Sequence, residues 1–246
     1  MCISDVYFWG GCSMRIKDAI LSLTKFEWLL WLGSLVLILL SYCLGREFDG
    51  LVLLASLLGA TMLIFVSKGE PFGQVLCILF ALLYGYISWR LRYYGEMITY
   101  LGMSGPMALA VLISWLRNPF QQGKSQVRVE GLTTLRVVLL ALLTILVTWL
   151  FYFILKWLDT PNLMLSTISI TTSFFAVGLT YLRSPWYALA YAANDLVLIG
   201  LWVLAGAKDA SSWPMVTCFV VFLINDLYGF FNWCRMRMCQ QEQERG

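Results

Sequence analysis

Apolar residues dominate the chain in eight long segments that short polar turns separate. The fifth segment is the clearest, because Arg136 and Lys156 bracket the uncharged run VVLLALLTILVTWLFYFIL. At about 1.5 Å per residue this run covers about 28 Å, close to the thickness of a hydrocarbon core. The pattern therefore predicts eight transmembrane helices, at 26–44, 50–68, 72–94, 96–117, 132–155, 163–182, 185–206 and 213–234.

Composition supports a membrane protein and excludes several other classes. The chain is 60% hydrophobic and 13% charged, more apolar than a soluble domain could bury. Its net charge of +3, with no basic stripe, argues against a nucleic-acid partner. The chain has no histidine, which excludes His-based triads and His-ligated metals, so we expect no metal and no cofactor. The seven cysteines form no CxxC pair and are expected to behave as small hydrophobes.

A weak internal repeat organises the segments. EPFGQVLCILF (70–80) resembles SPWYALAYAAN (184–194), and SWLR (114–117) resembles NWCR (232–235). Segments 2–4 would then match segments 6–8, with segment 5 as the connector that restores the orientation of the second unit. We therefore predict an all-α integral membrane protein with a 3+1+3 parallel-repeat core plus one N-terminal helix. The predicted units are 1–49, 50–117, 118–158, 163–237 and a tail at 238–246.

The basic residues predict the orientation in the membrane. With the N-terminus in the cytoplasm, twelve of the 17 Lys and Arg residues fall inside and five outside. Both termini are therefore expected to be cytoplasmic. No signal-peptide cleavage pattern follows the first apolar run, so that run is expected to remain as a helix. Pro106 lies inside the fourth segment and predicts a kink, while the charges of RLRYYGEM (90–97) are expected to be solvated at an outer turn.

Two acids lie deep within the apolar segments, and each follows an asparagine. Asp195 follows Asn194 in segment 7, and Asp226 follows Asn225 in segment 8. A carboxylate at the centre of a bilayer costs about 2.5–3.5 kcal/mol on insertion scales, so it needs partners, water or a ligand.

Helical spacing groups these residues with aromatic neighbours. One face carries Asn225, Tyr228 and Asn232, and the other carries Tyr187, Tyr191 and Asn194. Amides and hydroxyls beside aromatic walls suit a flat ring that carries polar substituents and a sugar. Trp186 and Gln74 complete the predicted binding set. The alternative is that these amides and acids join helices by interhelical hydrogen bonds, worth about 0.6 kcal/mol each.

The stretches SPWYALAYAANDLVLIGLW and FLINDLYGFFNW resemble the PnuC family of bacterial vitamin transporters. The likeness extends to GQVLCILFALLYGYISWRLRYYGEMITYLG and ISWLRNP, and so covers segments 2 to 8. It implies a seven-helix core similar to SWEET sugar transporters, with an extra N-terminal helix in some members. Members often have a Trp-rich start of segment 7, where this chain has Tyr187 and Tyr191.

The resemblance also implies a function. The expected substrate is nicotinamide riboside, with thiamine or riboflavin as alternatives, carried by facilitated diffusion across the bacterial inner membrane by a possible homotrimer. Tyr191, Tyr187 and Trp186 would flank the ring. Asn194, Asn225 and Asn232 would hold the ribose or carboxamide, and Asp195 or Asp226 would offset the pyridinium charge.

Three other functions remain open from the sequence. Proton-coupled uptake would use the aspartate pair as the titrating site. A membrane-embedded enzyme would have to use the same pair as an aspartyl dyad, although neither residue lies in a recognisable protease motif. A scaffold without a ligand would bind no vitamin.

Overall fold

The computed structural model describes residues 6–8, 12–14, 16–45, 49–90, 92–121, 125–207 and 213–245. An antiparallel hairpin of β1 (Val6–Phe8) and β2 (Cys12–Met14) precedes the helices. The helices are α1 (Ile16–Leu21), α2 (Lys25–Leu44), α3 (Gly50–Ser67), α4 (Pro71–Arg90), α5 (Tyr94–Ile98), α6 (Gly105–Arg117), α7 (Thr134–Trp157), α8 (Leu163–Tyr181), α9 (Trp186–Gly206) and α10 (Trp213–Arg245).

Within the described residues, eight helical segments are long and apolar enough to cross a membrane. The fourth of them joins α5 and α6 through a π-helical turn, Thr99–Ser104. The helical nature and the number of the membrane spans predicted from the sequence are therefore confirmed, and the only strands among the described residues are those of the N-terminal hairpin. Local sequence sets several boundaries: the Thr24 and Glu27 side chains form a capping box on α2, and the Asp49 carboxylate accepts from the first N–H groups of α3.

The helix α10 continues eleven residues beyond the predicted end of the last span, from 234 to Arg245. The tail sequence is rich in Gln, Glu and Arg, good helix formers, and contains no Gly or Pro before its last residue. The extension docks on the segment before α7. Gln240 is buried, donates to the carbonyl of Val127 at 3.0 Å and accepts from the N–H of Val129 at 2.8 Å. The end of the bundle that carries this extension is called the tail face below.

The π turn lies directly before Pro106. The N–H of Gly105 donates to the carbonyl of Tyr100, five residues back, in place of the usual four. Proline has no N–H to donate and its ring crowds the preceding turn, so a widened turn is one way for the chain to continue as a helix. The π turn lies next to Pro106, where the sequence predicted a kink. Side chains of this turn line a cavity that is described below.

The two halves that the repeat pairs are joined by reciprocal hydrogen bonds. The indole of Trp115 donates to the carbonyl of Thr180 at 3.1 Å, and the indole of Trp233 donates to the carbonyl of Val66 at 2.9 Å. The tryptophans are 118 residues apart (233 − 115) and the carbonyls 114 apart (180 − 66), the offsets seen in the sequence. Each half therefore donates to the other from an equivalent position.

The neighbouring residues repeat the same exchange. Ser114 donates to the carbonyl of Tyr181 at 3.1 Å, and Asn232 donates to the carbonyl of Ser67 at 2.8 Å. The fourth span packs against α8, and α10 packs against α3. The four bonds hold the halves together near the tail face.

Candidate functional site

A cavity of about 100 Å³ lies between α4, the π turn, α8 and α9. It extends from Thr160, in the turn between α7 and α8 on the face opposite the tail, to Asn194 near the middle of α9. Its polar lining is Glu96, Thr99, Ser104, Thr160, Ser166, Ser169, Ser173 and Asn194, and its aromatic lining is Tyr84, Tyr100, Trp202 and Phe219.

Asn194 forms the deep polar end of this cavity. Its Oδ1 accepts hydrogen bonds from the hydroxyls of Ser169 at 3.0 Å, Thr172 at 2.9 Å and Ser173 at 3.0 Å. These donors follow from the Ser/Thr-rich sequence of α8, which places hydroxyls on consecutive turns facing α9. Asn194 is the one member of the predicted binding set that the described cavity lining contains.

The two membrane aspartates contact each other. Asp195 and Asp226 are both buried, and their side chains hydrogen-bond across the packed helices α9 and α10. A hydrogen bond between two carboxyl groups requires one proton on the pair, since ionised carboxylates only accept. Oδ2 of Asp195 is buried with no hydrogen-bond partner among the described residues. Neither aspartate is part of the described cavity lining, but Asp195 directly follows Asn194, which is.

The predicted face of Asn225, Tyr228 and Asn232 packs against other helices. Asn225 donates to Ser34 Oγ at 3.0 Å, and Tyr228 donates to Glu27 Oε1 at 2.8 Å, so both contact α2. Asn232 contacts the end of α3, as described above. The three residues do share one face, and that face makes the interhelical bonds that the sequence left as the alternative.

The predicted aromatic residues lie near the tail face. Tyr187 is buried, with its ring centroid 4.9 Å from that of Trp233 and 6.2 Å from that of Tyr191. The ring of Trp115 packs on that of Trp233, with their centroids 5.4 Å apart. These rings close the bundle between the cavity and the tail face. Two other members of the predicted set lie outside this ring cluster: Trp186 is half-exposed on the outside against Phe230, and Gln74 is buried near the start of α4.

Glu96 is the main residue of the cavity that the sequence reasoning missed. Its charge was expected to be solvated with its neighbours at an outer turn, which is wrong, because α5 begins at Tyr94 and directs Glu96 into the cavity. Glu96, Thr99 and Tyr100 have the spacing i, i+3 and i+4 of one helix face, and this spacing could have identified them.

Comparison with known proteins identifies the chain's family. A sequence model described as "Nicotinamide mononucleotide transporter" matches residues 49–235. The nicotinamide riboside transporter PnuC of Neisseria mucosa is 25% identical over 187 residues, covering 74% of this chain and 71% of that protein. The protein of the same name from Haemophilus influenzae is 24% identical over 223 residues, covering 90% of this chain and 96% of that protein.

A solved structure has the same fold. The crystal structure of the vitamin B3 transporter PnuC superposes with a TM-score of 0.77 at 22% identity, covering 91% of this chain and 97% of that one. The resemblance drawn from the sequence is confirmed, as is the prediction of a transporter in place of an enzyme. The family model, which matches residues 49–235, includes seven of the eight membrane-spanning segments and leaves α2 outside. The chain belongs to the nicotinamide mononucleotide transporter family.

Proposed function

We propose that this chain carries nicotinamide riboside across the membrane, and that the cavity at Glu96 and Asn194 is where the substrate binds. Tyr84, Tyr100 and Trp202 provide aromatic surface against which a pyridinium ring can stack, with a cation–π contribution. The Glu96 carboxylate opposes the positive charge of that ring, and the cation in turn favours the ionised form of the carboxylate. Asn194 and the α8 hydroxyls supply partners for ribose hydroxyls.

The charge of the cavity favours the nucleoside over the nucleotide. Its described lining contains one carboxylate and no Lys or Arg. A phosphate group is normally recognised by basic side chains or helix N-termini, and it would be repelled by Glu96. The names of the two relatives, which are riboside transporters, support this choice, whereas the description of the family model names the mononucleotide. This lining is the observation that carries the proposal.

Transport requires the cavity to change shape. Its volume of about 100 Å³ lies below the ~300–1,000 Å³ of typical ligand sites, so the bound state needs the two halves to separate further. The rings of Trp115, Tyr187 and Trp233 then form the closure on the tail side. Rocking of the halves would open this closure and close the opposite side, which is alternating access by facilitated diffusion.

The test compares the binding of four ligands to the wild-type protein and to two variants. Purified protein is titrated with nicotinamide riboside, its mononucleotide, thiamine and riboflavin, following tryptophan fluorescence. Wild-type protein should bind the riboside most tightly, and Glu96→Gln should weaken riboside binding by roughly 10-fold or more, about 1.4 kcal/mol for a lost charge partner. Glu242→Gln, on the tail extension, is the matched control and should bind as the wild type does. Preference for the mononucleotide, or for thiamine or riboflavin, would refute the substrate assignment.

The aspartate pair favours a second possibility, proton-coupled uptake. Asp195 and Asp226 share a hydrogen bond that needs a proton, and Asp195 directly follows Asn194 of the cavity lining. If coupling operates, collapsing the pH gradient across proteoliposomes should reduce riboside accumulation, and Asp195→Asn should make uptake insensitive to the gradient. Uptake that is unchanged by the gradient in wild-type protein would leave facilitated diffusion as the mechanism.

We also propose that the tail face is cytoplasmic and that the protein lies in a bacterial inner membrane. The basic-residue bias supports this orientation, although Arg15, Arg46, Lys124 and Lys208, which enter that count, lie outside the described residues. Cys43 and Cys239 are exposed at opposite ends of the bundle. In variants that keep only one of them, an impermeant thiol reagent should label Cys43 in intact cells and Cys239 only after permeabilisation.

The proposed assembly is a homotrimer, which rests on the resemblance to PnuC transporters. Native mass spectrometry of protein released from nanodiscs should give three times the mass of one chain. A single-chain mass at all protein concentrations would refute it.

A further inference from the structure

A second cleft lies at the tail face, where α6 and α8 end and α7 begins. It encloses about 520 Å³, and its lining includes Arg117, Arg136, Arg183 and Glu130. We call it the α6–α8 cleft. It is separate from the cavity at Glu96, which approaches the opposite face.

The charges of the α6–α8 cleft do not balance. Three guanidinium groups face one carboxylate, which leaves a formal excess of +2 (3 − 1) in the described lining. Arg136 and Arg183 both contact Glu130. Arg117, in the last turn of α6, is exposed and has no acidic partner within salt-bridge distance in the part of the chain that the structure describes.

Arg183 is built into the cleft. Its backbone has a positive φ of 56°, which is uncommon for a residue with a side chain. It is 9% exposed, and its Nη1 donates to Ser114 Oγ at 3.1 Å while Nη2 contacts Glu130. Its Nε is buried without an acceptor among the described residues. A buried, oriented guanidinium with an unused donor indicates a recognition site for an anion.

The walls of the cleft are apolar towards the membrane. Ile113 lies one helical turn before Arg117 and is 42% exposed, and Tyr181 on α8 is 47% exposed. Both are on segments that span the membrane, so their exposed surfaces face acyl chains, and a tyrosine near a helix end is typical of the interface. Basic groups at the end of a lipid-facing apolar wall match the shape of a phospholipid, with its phosphate at the arginines and a chain along the wall.

We propose that the α6–α8 cleft binds the phosphate-bearing headgroup of an anionic phospholipid. Arg117 and Arg136 contact the phosphate, and Arg183 provides the fixed positive charge beneath it. The occupied cleft joins the fourth span to α7 and α8, and therefore joins the first half of the bundle to the connector and the second half.

The repeat provides a matched control on the same face. Arg235 occupies the position equivalent to Arg117, in a smaller cleft of about 260 Å³ that also contains Lys68. There the lysine is already neutralised by Glu27, at 3.0 Å. The equivalent cleft therefore has less unbalanced charge, and Arg235→Gln removes one positive charge from the same face without touching the proposed site.

The experiment measures lipid binding in nanodiscs. Wild type, Arg117→Gln/Arg136→Gln and Arg235→Gln are prepared in phosphatidylcholine alone and with a fraction of phosphatidylglycerol, and retained lipid is counted by native mass spectrometry. We expect phosphatidylglycerol to be retained by wild type and Arg235→Gln. The double variant should bind it roughly 30-fold more weakly, about 2 kcal/mol for two basic groups near an anionic lipid. An Arg117→Lys/Arg136→Lys variant should regain most of the binding, which separates lost charge from misfolding.

Two results would overturn the proposal. Equal loss of phosphatidylglycerol in the double variant and in Arg235→Gln would mean that general surface charge, and not the cleft, holds the lipid. Stabilisation of wild type in pure phosphatidylcholine by millimolar inorganic phosphate, equal to that by phosphatidylglycerol, would assign the cleft to a free phosphate group.

Discussion

Replacement of Lys68 by methionine tests how α2, which lies outside the residues matched by the family model, is held to the rest of the bundle. Lys68 Nζ donates to both carboxylate oxygens of Glu27, at 3.1 and 3.0 Å, and to the carbonyl of Ser22 at 3.0 Å. Glu27 also accepts from the hydroxyl of Tyr228 at 2.8 Å and from the N–H of Thr24 at 2.6 Å. One carboxylate therefore joins α2, α3 and α10.

The burial of this network sets the size of the expected effect. The Glu27 side chain is 2% exposed and that of Lys68 is 14% exposed. Removing one partner of a buried ion pair costs about 3–5 kcal/mol, because the other charge stays buried and unpaired. At roughly 2–4 °C per kcal/mol for a chain of this size, Lys68→Met should lower Tm by roughly 6–20 °C. The double variant Glu27→Gln/Lys68→Met should be more stable than Lys68→Met alone, since it leaves no unpaired charge.

The assay is thermal unfolding of the purified protein in one detergent at fixed protein and salt concentrations. Lys25→Met is the control, because Lys25 is exposed at the start of the same helix α2 and makes no salt bridge among the described residues. Its effect should stay within about 0.5 kcal/mol. The reasoning fails if Lys68→Met costs no more than Lys25→Met, or if the losses of the two single variants simply add in the double variant.

Three further outcomes follow from local contacts. Gly59→Ala should cost about 1–3 kcal/mol in thermal unfolding, because its Cβ would lie 2.4 Å from the ring of Phe222, whereas Gly33→Ala, with nothing within 4 Å, should not destabilise the protein. Partial burial would raise the pKa of Glu130, but its two arginine partners outweigh this and hold the pKa below the ordinary value of 4.5. The ionised Glu130 therefore stabilises the folded protein fully above about pH 4.5, and this stabilisation is lost as the pH falls through the lowered pKa. Measured against pH, Tm should fall less at acid pH in Glu130→Gln than in the wild type. An equal fall in both proteins would contradict the role of the Glu130 ion pairs. Pro106→Ala restores a backbone N–H and should favour a regular helix over the π turn, so riboside affinity should fall as the cavity lining rotates; unchanged affinity would mean that the turn does not shape the site.

Hydrophobic patterning predicted the helices because each span must be apolar over a fixed length, whatever its neighbours are. Proline and capping residues then set boundaries within a few positions, as at Pro71 and Asp49. The end of α10 was the largest error, because beyond residue 234 the hydrophobic criterion stops applying while helix propensity continues. The docking of Gln240 on the loop before α7 depends on tertiary contact, which no pattern in α10 reveals.

The candidate site was only partly predictable, because a helix face shows which residues point together and not what they point at. The face of Asn225, Tyr228 and Asn232 was identified, but its partners are Ser34, Glu27 and Ser67 on other helices. A membrane carboxylate was expected to need a cavity. The structure shows another arrangement, in which two carboxyl groups from adjacent helices share a hydrogen bond, and the acid that lines the cavity is Glu96, near the start of the fourth span.

The position of the reciprocal hydrogen bonds explains why the bundle is closed on the tail side. Four bonds, from Ser114, Trp115, Asn232 and Trp233, join the two halves there, while the cavity separates them towards the opposite face. At a net value of about 1 kcal/mol each, breaking all four costs about 4 kcal/mol, which corresponds to roughly one molecule in a thousand open on the tail side. For transport at a useful rate, closure of the bundle on the opposite side must then be favourable by a free energy similar to the cost of breaking these four bonds. In the proposed binding mode, the cavity closes around a cationic ring held between Glu96 and the aromatic wall, and the free energy of binding and closure together offsets the hydrogen bonds broken at the tail face.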